Sequence, residues 1–394
     1  MRRTIVTGID VGTYHVKVVI AEQTGDNNAP PRIVGVGMAE ARGLRHGYIT
    51  HQSEVVGSIR AALSQAEKMG KLRVRKVFLS VGGIGLGSIV AHGSVIISRA
   101  DSEITTLDLQ KAQEASEQEI PSSYALNRKT IHAIPLQYKI DGKAVFGKPE
   151  GMKGNKLEVK MLFITSMEHH LHDLIQAMED AGVEVEDVMA SPIAASLVTL
   201  SKSQKIAGCV LANIGAETVS IAVFENSMPI SLEVFPIGST DITNDIALGL
   251  KVPLEEAEQI KIGAITGASY PRKKLEEIIT ARLSDIFELI EVHLKKIGRN
   301  GLLPAGIVIT GGGGGLGSIE DFAKAALKLP SHIGSMTINK EETKSLMKDS
   351  SWAVAYGLCI FGLSAPSGPA VSTGGRIFRT TRKNIVAWVK KFLP

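Results

Sequence analysis

The sequence predicts an α/β protein of two related halves around a central cleft, each half carrying an inserted segment. Three observations lead there. A strand, a short polar turn and a second strand open the chain and recur about 200 residues later, the mark of an internal repeat. A run of five glycines, Gly311 to Gly315, directly follows a β-branched strand. Each half is also interrupted, the first by a strand-rich stretch over 84–164 and the second by a nearly all-helical one over 240–305.

In chain order, Ile5–Ile9 and Val16–Ala21 are apolar and rich in β-branched residues, and Asp10-Val-Gly-Thr13 between them makes a tight polar turn. Arg32–Ala39 follows the turn signal Gly25–Pro31 as a third strand. Glu54–Met69 has helical apolar spacing stopped by Gly70, and Lys76–Val81 is again a strand. The stretch Gly82–Thr165 breaks this rhythm. It offers a strand, a helix over Thr106–Glu119 capped by Thr105 or Thr106, and strands over Thr130–Ile140 and Leu157–Ile164. Helices over Met167–Ala181 and Pro192–Leu200 lead to a loop at Ser201–Lys205. The opening device then repeats as strand Ile206–Ile214, turn Gly215-Ala-Glu-Thr218 and strand Val219–Glu225, followed by strand Ser231–Ile237. Thr240–Arg299 is helical in pattern with Gly298 as its stop. Strand Ile307–Thr310, loop Gly311–Gly317 and a helix from Ser318, with Ser318 and Asp321 as a capping box, close the second half.

The last segment is the most unusual. Residues 365–381 have the Pro/Gly/Ser composition of a flexible linker, and 382–394 read as an amphipathic helix. At 100° per residue, Ile385, Val386, Trp388, Val389, Phe392 and Leu393 fall within an arc of about 160°, with Asn384, Lys390 and Lys391 opposite. That is the pattern of a helix lying on a membrane surface, with anionic lipids as its partner. From Ser350 onward the chain has six basic residues and no acid. Set those six aside, and the rest holds 38 basic residues against 40 acidic ones, so the net charge of +4 resides in the tail. The alternative is a terminal helix docked on the protein's own core, which the linker and the basic face disfavour.

At 394 residues the chain has room for two cores, and 44% apolar with 21% charged residues is ordinary globular composition. Only Cys209 and Cys359 are present, both in apolar runs, which fits a reducing cytoplasm better than a disulfide framework. The apolar stretch after Arg2 and Arg3 is broken at Asp10, too early for a signal peptide. The longest apolar run, Ala353–Leu363, is well short of the ~20 residues a spanning helix needs. The chain is therefore expected to be cytoplasmic and peripheral to the membrane. No interleaving of basic and aromatic residues suggests nucleic acid.

The polar turns carry the chemistry. A glycine turn between paired strands presents main-chain N–H groups without side-chain obstruction, which suits phosphate oxygens. In the first turn Gly12 permits close approach, Thr13 and Tyr14 supply N–H groups, and Asp10 is placed to hold a Mg²⁺-bound water. The second turn offers Gly215, Ala216, Glu217 and Thr218, and the loop Gly311, Gly312, Gly313 and Gly314 is a third cradle. Glu168-His-His-Leu-His-Asp173 sets His169 and His172 on one helical face at metal-compatible spacing, but nothing else nearby completes a site and a solvated helix start explains the pattern better.

With these motifs the chain resembles the actin, Hsp70 and sugar-kinase superfamily, and within it the bacterial cell-division family FtsA. The resemblance runs nearly end to end. It rests on Gly8-Ile-Asp-Val-Gly-Thr13, Arg42-Gly-Leu-Arg-His-Gly47, Gly151-Met-Lys-Gly154, Thr243–Leu250, Pro253–Lys261, the Gly311–Gly314 loop and the basic terminal helix. It implies an actin-like fold of two RNase H-like halves, with subdomain 1A at 1–83 and 165–204, 1C at 84–164, 2A at 205–239 and 306–364, and 2B at 240–305. It further implies ATP and Mg²⁺ as ligands, with Glu258 and Lys261 near ribose and adenine. Its implied partners are the FtsZ C-terminal peptide on 2B around Arg282, later division proteins on 1C, and further copies of the chain through 1C and 2B. The implied role is a polymerising adaptor that tethers FtsZ filaments to the membrane in the division ring. Readings from other classes are a PilM-like pilus-assembly adaptor of the same fold, which would not need the basic tail, and a sugar-kinase-like phosphotransferase.

The departures from the family's pattern concern turnover. Asn213 stands where an Asp is usual, within a stretch more like Asp-Ile-Gly-Gly-Gly-Thr, and Ser191 stands where a Glu or Gln precedes the proline. His15 replaces a frequent Lys in the first turn, with Lys17 nearby. Asn does not ionise and Ser is short, so the sequence favours a nucleotide that is bound and kept, not hydrolysed: an adaptor and not an enzyme.

Overall fold

The computed structural model describes residues 3–24, 30–264, 270–336 and 350–364. Two five-stranded sheets carry it, and they are one arrangement built twice. The first sheet runs in the order Glu184–Ala190, Lys76–Val81, Arg3–Val11, His15–Thr24, Arg32–Glu40. The second runs Ser331–Ile333, Ile307–Thr310, Cys209–Ile214, Val219–Glu225, Met228–Phe235. In each, three consecutive strands pair antiparallel and two later strands add parallel to the first of them. The fold is thus the actin-like one, with two related halves.

The sequence places most of these elements within a residue or two. It misses Glu184–Ala190, because Glu184, Glu186 and Asp187 give the segment a charged look although Val185 and Val188 to Ala190 are buried. It misses Ser331–Ile333, which is too short to show a period. Ser201–Lys205 is not a loop. Ser201 and Gln204 form a capping box for a helix over Lys202–Ala207, so the next strand starts at Cys209 and not at Ile206. Ser318 precedes a helix over Ile319–Leu327 but makes no capping bond with its side chain.

The two halves are interlocked by exchanged helices. Ser191–Thr199 follows the first sheet in sequence but packs also on strands of the second, while Ala353–Ser364 packs on the first sheet. The 353–364 helix, expected with the second half, packs on the first sheet and on the Ser191–Thr199 helix. The two helices cross at backbone contact. A Cβ on Gly357 would lie 1.9 Å from the Ala194 carbonyl oxygen, so only glycine fits there. One core consequently runs from the first sheet through both helices to Cys209, Leu211, Ala222 and Phe224 on the inner face of the second sheet. The alternate residues Val210, Ala212, Ile221 and Val223 point outward to a second core. Helices Ser239–Leu250, Leu254–Lys261 and Arg272–Lys296 cover that face.

The first half's inserted module is an antiparallel sheet ordered Gly87–Ile96, Lys156–Met167, Arg128–Ile140, Lys143–Val145. Helix Thr106–Gln118 packs on it, capped by Thr105 with Asp108 as its reciprocal partner. Its own core includes Ile104, Leu109, Leu157, Met161 and Phe163. The module also reaches the second half: the Ser88 hydroxyl accepts the Leu232 N–H and donates to the Leu232 carbonyl, both at 2.8 Å. Among the described residues no helix is long and apolar enough to cross a membrane. The linker at 365–381 and the amphipathic helix at 382–394 lie outside the described residues.

Two glycines in helices make a matched test of the crossing. A Cβ at Gly57 meets nothing within 4 Å, so Gly57→Ala should raise the free energy of unfolding by up to about 1 kcal/mol through helix propensity alone. Gly357→Ala gains the same propensity but must push the helices apart, and should lower stability by about 1–3 kcal/mol. Chemical denaturation of the two variants measures the difference directly.

Candidate functional site

A cleft of about 950 Å³ lies between the halves, and both turns open onto it. The turns are built alike. In the first, the Gly12 N–H donates to the His15 carbonyl at 3.1 Å; in the second, the Gly215 N–H donates to the Thr218 carbonyl at 2.8 Å. The flanking strands keep register, so Asp10 faces Lys17 and Asn213 faces Ser220 across equivalent positions. Asp10, Lys17, Asn213 and Ser220 all line the cleft, as do Gly12, Thr13 and Tyr14.

The second turn shows why it suits an anion. The Gly215 carbonyl accepts the Ser239 N–H at 2.9 Å and the Ala216 carbonyl accepts the Thr240 N–H at 2.8 Å. The Glu217 carbonyl lies 3.2 Å from the His46 ring nitrogen Nδ1. In a trans peptide the N–H points opposite to the C=O. With these carbonyls engaged, the N–H groups of Ala216 and Thr218 are left for another acceptor, and both residues line the cleft, where they suit an anionic oxygen. Glu217 itself differs from expectation. Its side chain does not line the cleft but accepts the His46 main-chain N–H, 2.5 Å away on the first half.

The glycine loop is held where a side chain would collide. Gly311 has φ +89°, and a Cβ on it would lie 2.4 Å from the Ile214 carbonyl and 2.5 Å from Asn213 Oδ1. Gly311 to Gly314 line the cleft beside Glu258 and Lys261. The latter two form a small network: Lys261 Nζ is 2.7 Å from Glu258 Oε2 and 2.8 Å from Thr243 Oγ1, and Thr243 donates to Glu258 at 2.6 Å. The structure thus brings residues from 10–14, 215–218, 258–261 and 311–314 to one cavity.

Beside the Glu258–Lys261 pair of the second half, the charge at the turns belongs to the first half. Asp10 is partly exposed to the cleft and accepts the Ser80 hydroxyl at 2.7 Å. Burial raises its carboxyl above the ordinary range, opposed by Ser80 and Lys17. Lys17 donates to the Ser351 carbonyl at 2.8 Å and lies over the Trp352 ring. Burial first, and Lys17 second, lower the His15 imidazole below its usual value, so near pH 7 the local cation is Lys17 and not His15. Ser191, at the start of its helix, lines the cleft close to Gly82. Sequence reasoning missed Ser80, Thr243 and Gly82–Gly83. Their only signal is polarity or glycine at strand ends and a helix start, which is common in any chain.

Two other candidates fare differently. Arg282 is bound within its own subdomain, donating to Asp245 at 2.7 and 3.1 Å and pairing with Asp285 at 3.3 Å. The buried histidine of 168–173 is His170, which meets the Gly82 carbonyl at 3.2 Å, whereas His169 and His172 are exposed. Among the described residues no three His, Cys, Asp or Glu side chains form a metal-binding group. Ile385, Trp388, Val389, Lys390, Lys391, Phe392 and Leu393 lie outside the described residues.

Comparison with known proteins gives two family matches: "Cell division protein FtsA" over residues 210–357 and "SHS2 domain inserted in FTSA" over residues 83–165. The cell division protein FtsA of Bacillus subtilis is 32% identical over 83% of this chain and 79% of its own length. The FtsA of Pseudomonas aeruginosa is 27% identical over 94% of this chain and 92% of its own. Among solved structures, a PilM–PilN type IV pilus biogenesis complex aligns with TM-score 0.67 at 18% identity, covering 91% of this chain and 98% of that one. MreB5 of Spiroplasma citri bound to ADP aligns with TM-score 0.51 at 12% identity, covering 91% and 95%. These structural likenesses show the fold.

Asp10 yields a prediction with a definite sign. Its folded-state pKa is raised, so its charged form is disfavoured by folding and that penalty grows as pH rises through the carboxylate range. Asp10→Asn should therefore raise the unfolding temperature at pH 7, and the gain should fade as pH falls and the parent carboxyl protonates. Thermal unfolding of both proteins across pH 4 to 8, on the order of half-unit steps, checks it.

Proposed function

The chain belongs to the FtsA family of cell division proteins, and from that premise we propose that it binds ATP with Mg²⁺ between its halves, polymerises, and tethers FtsZ filaments to the cytoplasmic membrane. The observation that supports the nucleotide reading is the pair of equivalently closed turns on one cleft, with the Gly311–Gly314 loop beside them. The residues fit that ligand. The N–H groups of Ala216 and Thr218 suit phosphate oxygens, Lys17 supplies a cation, and the desolvated Asp10 carboxylate gains from a second positive charge held through water. Glu258 and Lys261 are the candidates for ribose and adenine contact. Bound Mg²⁺ would neutralise charge on the phosphate oxygens.

Turnover is a separate matter. Asn213 cannot ionise, and Ser191 Oγ sits against Gly82 at the start of its helix. Asn213 lacks the carboxylate that would hold a metal-bound water and Ser191 is too short to orient an attacking one, so the protein works as a nucleotide-loaded adaptor. Its membrane contact is the amphipathic helix at 382–394. One helix with about 1 kcal/mol per basic residue near anionic lipid binds weakly. Polymerisation through subdomains 1C and 2B joins many tails into firm attachment by effective concentration. Subdomain 2B receives the acidic FtsZ peptide, and 1C is left for later division proteins.

Three measurements test this. ATP with Mg²⁺ should bind the parent protein, with turnover below about one per second, while Gly12→Val should abolish binding by disturbing the Gly12–His15 closure. Deleting residues 380–394 should abolish co-sedimentation with anionic vesicles and leave ATP binding intact; retained vesicle binding would remove the anchor from the account. Arg282→Glu would set a third acid beside Asp245 and Asp285, so its effect on FtsZ-peptide binding must be read with its unfolding temperature. Lys274→Glu, exposed on the same helix, should weaken the peptide without that burden.

A further inference from the structure

From the contact between Glu217 and His46 we infer a latch across the mouth of the cleft that sets how fast nucleotide leaves. It deepens the nucleotide reading above and rests on it. Where the family pattern has glycine, this chain has Glu217, and its carboxylate leaves the cleft to grip the first half. It accepts the His46 N–H at 2.5 Å, while the Glu217 carbonyl meets His46 Nδ1 at 3.2 Å. A two-point contact of this kind fixes orientation as well as distance, and the charged acceptor strengthens it.

The other side of the latch is anchored. His46 lies at the tip of a small hairpin, Leu44–Arg45 paired with Tyr48–Ile49, at φ +48°. Its carbonyl accepts the Ile84 N–H at 3.2 Å, and Gly47 packs so closely that a Cβ on it would be 2.3 Å from Gly83 Cα. The hairpin is therefore fixed to the first half's cleft wall. The Glu217 turn is fixed to the second half through Ser239 and Thr240. Parting the two walls widens the exit for a ligand held between the turns, and it breaks both His46 contacts. Both residues are partly exposed and lie outside the cores, so the contact acts on opening and not on folding.

The test uses the full chain, a fluorescent ATP analogue with Mg²⁺, and displacement by excess ATP in a stopped-flow instrument. Glu217→Ala should speed dissociation about tenfold, on the scale of one charge-assisted contact, and Glu217→Gln, which keeps an acceptor oxygen and loses the charge, should speed it less, with association changed less than about twofold and the unfolding temperature unchanged in both. His46→Ala keeps the main-chain N–H and should have a smaller effect. The double variant Glu217→Ala with His46→Ala removes both points of the contact and should be faster than either single variant. Arg45→Ala, exposed beside the tip, should match the parent. An unchanged dissociation rate in Glu217→Ala, a double variant no faster than Glu217→Ala alone, or equal acceleration in Arg45→Ala would overturn the latch. If the parent binds no nucleotide, the nucleotide reading fails and the latch is judged by hydrogen exchange. Protection of the His46 amide that falls in Glu217→Ala supports the strap, and protection that stays overturns it.

Discussion

One main-chain hydrogen bond, made twice, sets the geometry on which the cleft depends. The Gly12-to-His15 and Gly215-to-Thr218 bonds reverse the chain so tightly that strand pairing continues unbroken to the turn, with Val11 opposite Val16 and Ile214 opposite Val219. Because the two sheets share one order and sense, each turn emerges at the same end of its sheet. The exchanged helices then press the two sheets together, and the turns meet across a shared cavity. Repetition of the backbone leaves the side chains free to differ. The first turn holds a carboxylate opposite an ammonium, and the second a neutral amide opposite a hydroxyl. A symmetrical scaffold thus carries an asymmetrical charge.

The crossing helices limit what motion this arrangement permits. Contact between Gly357 and the Ala194 backbone, inside a core that spans both sheets, resists sliding of one half over the other. Opening about that crossing is the movement left, and it draws apart the walls that carry the turns. The Ser88 hook to Leu232 ties the inserted module to the second half as well, so the module's position follows the same opening.

The duplicated hairpins, the inserted module and the glycine loop were legible in the sequence because each leaves a periodic or compositional trace. Short elements were not. A three-residue strand at Ser331–Ile333 has no period, and the acids of Glu184–Ala190 hide a strand that is buried at Val185 and from Asp187 on. The site divides in the same way. Gly12, Gly215 and Gly311 announce themselves, whereas Ser80, Thr243 and the hairpin tip at His46 matter through tertiary contacts separated by 70, 15 and 171 residues. Spacing could not reveal that Glu217 turns away from the cavity, nor that Arg282 is held by Asp245. Those are decided by which acceptor lies nearest in space.

The central claim is that turns from both halves serve one ligand, and hydrogen exchange with and without ATP and Mg²⁺ tests it most directly. The account predicts that ligand protects peptides covering residues 10–15, 213–218 and 311–315 together, with 258–261 following. Protection confined to one half, or no protection at either turn under saturating nucleotide, would contradict it.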